Sequence, residues 1–164
     1  MKRLLVLRHA KAEKESGRGG DFERPLAPRG RADAAEAGRV LALRGTHPDA
    51  VLASPARRAL ETARIVAREL DFPWDDIRPE KRAYLADADT LLELLQEADD
   101  GARALLLVAH NPGVTELAQA LVRRFAEELP TCAVVAIDCA VDTWGRVRPG
   151  CGTLRWYEVP RARR

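Results

Sequence analysis

Cysteine is scarce and poorly spaced for the tasks it usually performs. Cys132, Cys139 and Cys151 are odd in number and form no C-x-x-C pair, which argues against a disulfide framework or a zinc site. Cys132 and Cys139 fall in a strand-like run and read as small buried apolar residues. Six residues after the three cysteines stand Asp138, Gly145 and Tyr157, so the C-x5-R loop of a cysteine phosphatase is excluded. A G-x4-G-K-[ST] nucleotide loop is also lacking. No apolar run approaches the roughly 20 residues of a spanning helix, and a strand-like segment begins almost at Met1, unlike a signal peptide. Lysine is rare: only four of the 27 basic residues are lysine, and the net charge is +2. That balance predicts no nucleic-acid or membrane surface, and most of the arginines read as a solvated helix face. The tail Arg161-Ala162-Arg163-Arg164 reads as a frayed terminus. Aromatic residues make up 5% of the chain, and Trp144, Trp156 and Tyr157 are expected on terminal strands covering the sheet. A soluble, reduced, cytoplasmic protein is expected.

What is present is an alternation of strand and helix patterns. The 164 residues, 46% hydrophobic and 32% charged, suit one domain spanning 1–164. Uninterrupted apolar runs at 4–7, 50–53 and 104–109 predict strands covered on both faces, as in a parallel sheet. Residues 133–140 and 154–159 predict two more strands. Helices are predicted over 29–44, ending at Gly45 as the C′ residue, 55–70, 90–98 with a Thr90-x-x-Glu93 capping box, and 112–127. Leu60, Ala63, Ala67 and Leu70 share one helical face, as do Val114, Leu117, Leu121 and Phe125. Ser54-Pro55 and Asn111-Pro112 each pair an N-cap residue with proline at the first helical position. The fold class is α/β: a three-layer sandwich with a mostly parallel central sheet, helices on both faces and an antiparallel edge.

Two of the three histidines stand where a short buried strand runs out. His9 follows Leu4-Leu5-Val6-Leu7-Arg8, and His110 follows Leu105-Leu106-Leu107-Val108-Ala109. In open α/β sheets ligands bind beyond the carboxyl ends of the strands. An imidazole attacks phosphorus when one ring nitrogen is unprotonated and in line, giving a phosphohistidine. Neighbouring cations disfavour imidazolium, and arginines match the equatorial phosphoryl oxygens. Arg8 adjoins His9, although alternation along a strand demands a bend for both to converge. Arg57-Arg58 add cations after Ser54, and spacing alone does not choose between them. His110 is placed to donate a hydrogen bond to a phosphoryl oxygen. His47 lies in a loop and reads as exposed.

These residues carry a family resemblance. Leu7-Arg8-His9-Ala10 resembles the opening RHG-type motif of the histidine phosphatase superfamily, the phosphoglycerate mutase-like fold. Ser54-Pro55-Ala56-Arg57-Arg58-Ala59-Leu60-Glu61-Thr62-Ala63 resembles its second motif, and Val108-Ala109-His110-Asn111-Pro112-Gly113 its third. Asp21-Phe22-Glu23-Arg24-Pro25-Leu26, ahead of Arg29-Gly30, is similar to the small SixA-type phosphohistidine phosphatases. The resemblance implies that His9 is the nucleophile and that Arg8, Arg58 and His110 form the phosphate pocket. It chooses Arg58 over Arg57, as the arginine directly before Ala59, and adds Arg24 at the pocket edge. It also implies a phosphatase, and because no metal-ligand cluster is evident in the sequence, activity without a metal or other cofactor is expected.

Two departures bear on the substrate. Ala10 replaces the motif's glycine, removing backbone freedom beside the nucleophile. No carboxylate falls clearly at the general-acid position of the ester-cleaving members, although Glu80, Asp87 and Asp89 are nearby. An alkoxide leaving group needs a positioned proton donor. An imidazole, with a pKa of roughly 6.5, needs one less. The expectation is a phosphohistidine on a protein, such as a histidine phosphotransfer domain, admitted by a cleft without a long lid insertion. A small phosphate ester and an idle phosphoprotein-binding module are the alternatives. Asp87-Ala88-Asp89-Thr90 imitates the D-x-D-x-T motif of aspartate-nucleophile phosphatases but opens a helix at once, so it reads as a helix cap.

Overall fold

The computed structural model describes residues 1–15 and 17–161. Its centre is a six-stranded sheet in the order β3-β2-β4-β1-β5-β6, built from β1 (Lys2–Arg8), β2 (Ala50–Ala53), β3 (Arg78–Pro79), β4 (Ala104–Ala109), β5 (Val134–Cys139) and β6 (Gly152–Glu158). The first four run parallel to one another, and β5 is antiparallel to both of its neighbours. The antiparallel pairing therefore occupies one side of the sheet. The strands at 50–53 and 104–109 have the boundaries that their apolar runs predict. The two-residue β3 has no apolar run to announce it.

Alternation along the strands divides the core in two. Leu5, Leu7, Leu106 and Val108 face α1 (Pro28–Leu43) and α2 (Arg57–Glu69), while Leu4, Val6, Leu105 and Leu107 face α3 (Ala88–Gln96) and α4 (Gly113–Leu121). This is the expected three-layer sandwich. Most of these leucines are fully buried, and each contributes about 1.5–3 kcal/mol relative to exposure.

Helix ends differ from expectation in instructive ways. Gly45, at φ +67°, follows α1 as predicted. Helix α3 is capped by Asp87, whose carboxylate accepts from the Thr90 N–H at 2.9 Å, so Thr90 lies inside the first turn. Ser54 and Asn111 do not cap: α2 and α4 start at Arg57 and Gly113. Helix α4 stops at Leu121 rather than 127, yet Phe125 remains buried. Trp144 lies off the strands, fully buried, with its indole N–H donating to the Ala102 carbonyl at 2.8 Å. Trp156 and Tyr157 do lie on β6, and His47 is exposed. Cys139 falls within β5, whereas Cys132 lies two residues ahead of it. Arg161 pairs with Glu36 at 3.3 Å, and the rest of the arginine-rich tail lies outside the described residues. Among those residues, no helix is long and apolar enough to cross a membrane.

Gly113 sets the approach of α4 to the loop before α3. A Cβ there would overlap the carbonyl oxygen of Ala86. Replacing Gly113 by alanine is expected to lower unfolding free energy by about 1–3 kcal/mol, measured by urea denaturation. An unchanged midpoint would mean that helix and loop separate without strain.

Candidate active site

Parallel strands β1, β2 and β4 end at the same rim, and each hands the chain to a polar residue: His9, Ser54 and His110. The imidazole planes of His9 and His110 are tilted, with ring centroids 5.1 Å apart. Between them reaches Arg58, from the first turn of α2. Its Nε donates to His9 Nε2 at 3.3 Å, and its Nη2 donates to His110 Nδ1 at 3.3 Å. Arg57, one helical step away, points outward and pairs with Glu61 at 3.4 Å. Helix phase thus separates the two arginines: position 58 is 3% exposed, whereas the Arg57 side chain is half-exposed.

These contacts define the protonation of both rings. His9 Nδ1 lies 2.8 Å from the Ala10 carbonyl, which can only accept, so the proton sits on Nδ1 and the Nε2 lone pair receives Arg58. His110 Nε2 lies 2.7 Å from Ser54 Oγ. With Arg58 donating to its Nδ1, His110 carries its proton on Nε2. Burial pushes the His9 pKa down to about 4, with the Ala10 carbonyl opposing and Arg58, Arg8 and Arg24 adding to the fall. The sequence reading gave the cations first place, but desolvation is the larger cause. His110 is pushed down to about 3, again chiefly by burial.

The remaining expected residues surround this centre. Arg8 bonds the Leu129 carbonyl at 3.0 Å, and its charge reaches both imidazoles. Arg24 joins through Asp21, at 3.0 Å. Ala10 is fully buried and its φ is not positive, so the motif's glycine is not required. Its N–H donates to Thr62 Oγ1 at 3.0 Å, and that hydroxyl donates to the Arg58 carbonyl at 2.7 Å. Thr62 therefore ties α2 to the turn after β1.

Sequence reasoning missed two participants. The Asp21 carboxylate accepts from Arg58 Nη2 at 3.0 Å and from the Tyr84 hydroxyl at 2.6 Å, and the Asp21 main-chain oxygen accepts from Arg58 Nη1 at 2.7 Å. The Tyr84 ring stands edge-on to His110, centroids 5.6 Å apart, and to Phe22 at 5.1 Å. The Tyr84 hydrogen bond, ahead of Arg24 and Arg58, holds the Asp21 carboxyl well below the usual carboxylate range. Tyr84 sits within the 80–89 stretch, where no carboxylate falls clearly at the general-acid position and where a phenol carries no signal of its own. Of the carboxylates there, Glu80 pairs with Arg82 at 3.5 Å, Asp87 caps α3, and Asp89 is exposed. Ser54 resembles a helix cap in sequence; its hydroxyl accepts from the Ala56 N–H at 3.2 Å, just ahead of α2, and meets His110 at 2.7 Å.

No group of three or more His, Cys, Asp or Glu side chains among the described residues is placed to hold a metal ion. The site's chemistry is that of two neutral imidazoles and a buried guanidinium: a nitrogen lone pair presented by His9, beside N–H donors suited to an oxyanion.

An uncharacterised protein of Mycobacterium tuberculosis is 34% identical over 165 residues, covering 94% of this chain and 100% of its own length. The structure of the protein histidine phosphatase SixA complexed with tungstate is 21% identical, with a TM-score of 0.83 over 99% of each chain. A proposed phosphohistidine phosphatase SixA from Agrobacterium tumefaciens is 25% identical, with a TM-score of 0.83 over 97% of this chain and 98% of its own. A mycobacterial glucosyl-3-phosphoglycerate phosphatase, 18% identical with a TM-score of 0.68 over 94% and 97%, shares the fold. The description "Histidine phosphatase superfamily (branch 1)" matches residues 4–89. This chain belongs to the histidine phosphatase superfamily, with a SixA-type α/β fold.

Proposed function

We propose that the protein is a phosphohistidine phosphatase, acting on a phosphorylated protein such as a histidine phosphotransfer domain. The observation that carries this reading is the His9 ring. Its Nδ1 proton is spent on the Ala10 carbonyl, and its Nε2 lone pair lies 3.3 Å from a guanidinium N–H. Arg58 Nε turns from His9 Nε2 to a phosphoryl oxygen, the freed Nε2 lone pair attacks the phosphorus, the P–N bond of the substrate breaks, and the leaving imidazole takes a proton from solvent. Arg58, with Arg8 and Arg24, neutralises the phosphoryl oxygens. The incoming dianion raises the pKa of His110, whose Nδ1 then gains a proton and donates to it. Water next cleaves the P–N bond of phospho-His9, releasing inorganic phosphate and restoring the imidazole.

Proton supply favours P–N over P–O cleavage. The carboxylate that reaches the site, Asp21, is held ionised, and its hydrogen bond and burial raise the Tyr84 phenol. Neither is a good acid near neutrality, and His110 once protonated is committed to a phosphoryl oxygen, whereas an alkoxide leaving group requires a positioned donor of its own. No metal is needed for this route. A phosphorylated signalling protein as substrate also suits a cytoplasmic setting.

Incubating the purified protein with a phosphohistidine protein and with a panel of phosphate esters tests the reading. Release from the phosphohistidine protein, undiminished by a chelator, is expected. Rapid release from esters alone would assign a small-molecule phosphomonoesterase instead. Labelled phosphate should be trapped on His9 and vanish in His9→Ala; absence of both turnover and label would leave an idle binding module. Arg58→Ala is expected to lose about 2–5 kcal/mol of transition-state stabilisation, read as kcat/KM.

The neutral imidazoles also predict acid sensitivity. An unfolded histidine takes its proton near 6.5, whereas His9 in the fold takes it only at about 4 and His110 at about 3. Between these limits the unfolded chain binds more protons, so stability is full above about pH 6.5 and falls as pH drops. Urea midpoints should decline from about pH 7 to about pH 4.5, with a shallower slope in a His9→Gln/His110→Gln variant. Equal slopes would show that the rings charge within the fold.

A further inference from the structure

Asp21 competes for the donors that a phosphoryl group on His9 would use. Its main-chain oxygen takes Arg58 Nη1 at 2.7 Å, and its carboxylate takes Arg58 Nη2 and Arg24 Nη1, each at 3.0 Å. Both terminal nitrogens of Arg58 are therefore engaged by one acidic residue, in a fork that suits a phosphoryl group equally well. Two anions cannot share that fork without strong repulsion in a poorly solvated site.

The surroundings permit exchange. Arg58 and His110 are only 3% and 2% exposed, whereas the Asp21 side chain is 36% exposed and borders solvent. Asp21 lies in a short 3-10 turn, Gly20–Glu23, whose first residue has φ +58°, and Gly17 and Gly19 ahead of it have φ of +88° and +74°. Tyr84 secures the carboxylate from the other side at 2.6 Å. The arrangement is a carboxylate held on the arginines yet in contact with water.

We propose that Asp21 is the resident anion of the pocket, a specificity-determining carboxylate that the substrate's phosphoryl group displaces from Arg58 and that returns to expel inorganic phosphate. The proposal rests on the reading that this pocket takes a phosphoryl group at His9. Displacement weakens every oxyanion by the same factor. Only a ligand with contacts outside the pocket, as on the surface of a folded phosphoprotein, recovers the loss. Free phosphate, lacking such contacts, binds weakly and leaves.

Titration calorimetry with inorganic phosphate and with tungstate, on wild type, Asp21→Asn, Asp21→Ser and Asp21→Glu, tests this. Thermal unfolding identifies the variants that retain the fold, and those decide. Removing the charge in the Asn and Ser variants is expected to tighten phosphate and tungstate binding by about tenfold or more. The Glu variant, which keeps the charge, should stay near wild type. Phosphate should become a stronger competitive inhibitor of the Asn and Ser variants by the same factor. Equal or weaker binding in those variants would overturn the proposal and make Asp21 a positioning residue for Arg58, with the phosphoryl site intact. If no form of the protein binds either oxyanion, the phosphoryl pocket itself is refuted, and the proposal with it.

Discussion

The buried guanidinium of Arg58 is the constraint around which the site is organised. Arginine does not give up its proton in a protein, so a side chain 3% exposed brings a full charge out of water. That is tolerated only where acceptors meet its N–H groups. Here the acceptors are the His9 Nε2 and His110 Nδ1 lone pairs, the Asp21 carboxylate and the Asp21 carbonyl. An imidazole accepts at a ring nitrogen only when that nitrogen is unprotonated. Compensation of one buried cation therefore requires two neutral histidines, and a neutral histidine is what nucleophilic attack on phosphorus requires. The contact that keeps His9 neutral must open before its Nε2 attacks, because one lone pair cannot accept from Arg58 and bond phosphorus at once.

Topology brings these groups together. Parallel β2, β4 and β1 are neighbours in that order, so Ser54, His110 and His9 emerge side by side at their carboxyl ends. The reversal of β5 brings a different contribution to the same rim: its start, not its end, lies there. The loop ahead of it offers the Leu129 carbonyl to Arg8 Nη1 and Asn111 Nδ2, and the Cys132 N–H to the Arg8 and His9 carbonyls. This loop joins the exits of β1 and β4. A wholly parallel sheet would have no chain entering at that point.

Much of this was legible in the sequence because strand ends are local. Short apolar runs located β2 and β4 to the residue and the end of β1 to within one, and so placed Ser54, His110 and His9. Periodicity was less reliable for α4: it records burial, and the chain continues to bury Phe125 after the helix stops at Leu121. Both helices start beyond Ser54 and Asn111, whose polar atoms also reach partners outside the expected caps. Ser54 Oγ serves His110, while Asn111 bridges Leu129 and Thr115. Asp21 and Tyr84 were hidden for another reason. They lie in irregular loops, 63 residues apart, and no period or motif on either side announces the contact. The stretch Asp21–Leu26 is SixA-like and its arginine is the residue the motif points to, yet it is Asp21 that binds Arg58 directly.

The substitution of alanine for glycine after the nucleophile shows which part of residue 10 matters. A glycine would be needed if the turn demanded a positive φ, and Ala10 has none. Its methyl group is fully enclosed in the core against α1 and α2. What the site uses is the backbone on either side of that methyl. The N–H reaches Thr62 and through it the carbonyl of Arg58, while the C=O takes the His9 Nδ1 proton. One peptide segment thereby fixes the ring's tautomer and ties the helix that carries the cation. A side chain at position 10 is acceptable so long as it leaves those two bonds in place. The requirement lies on the main chain, and sequence identity at that position is a poor measure of it.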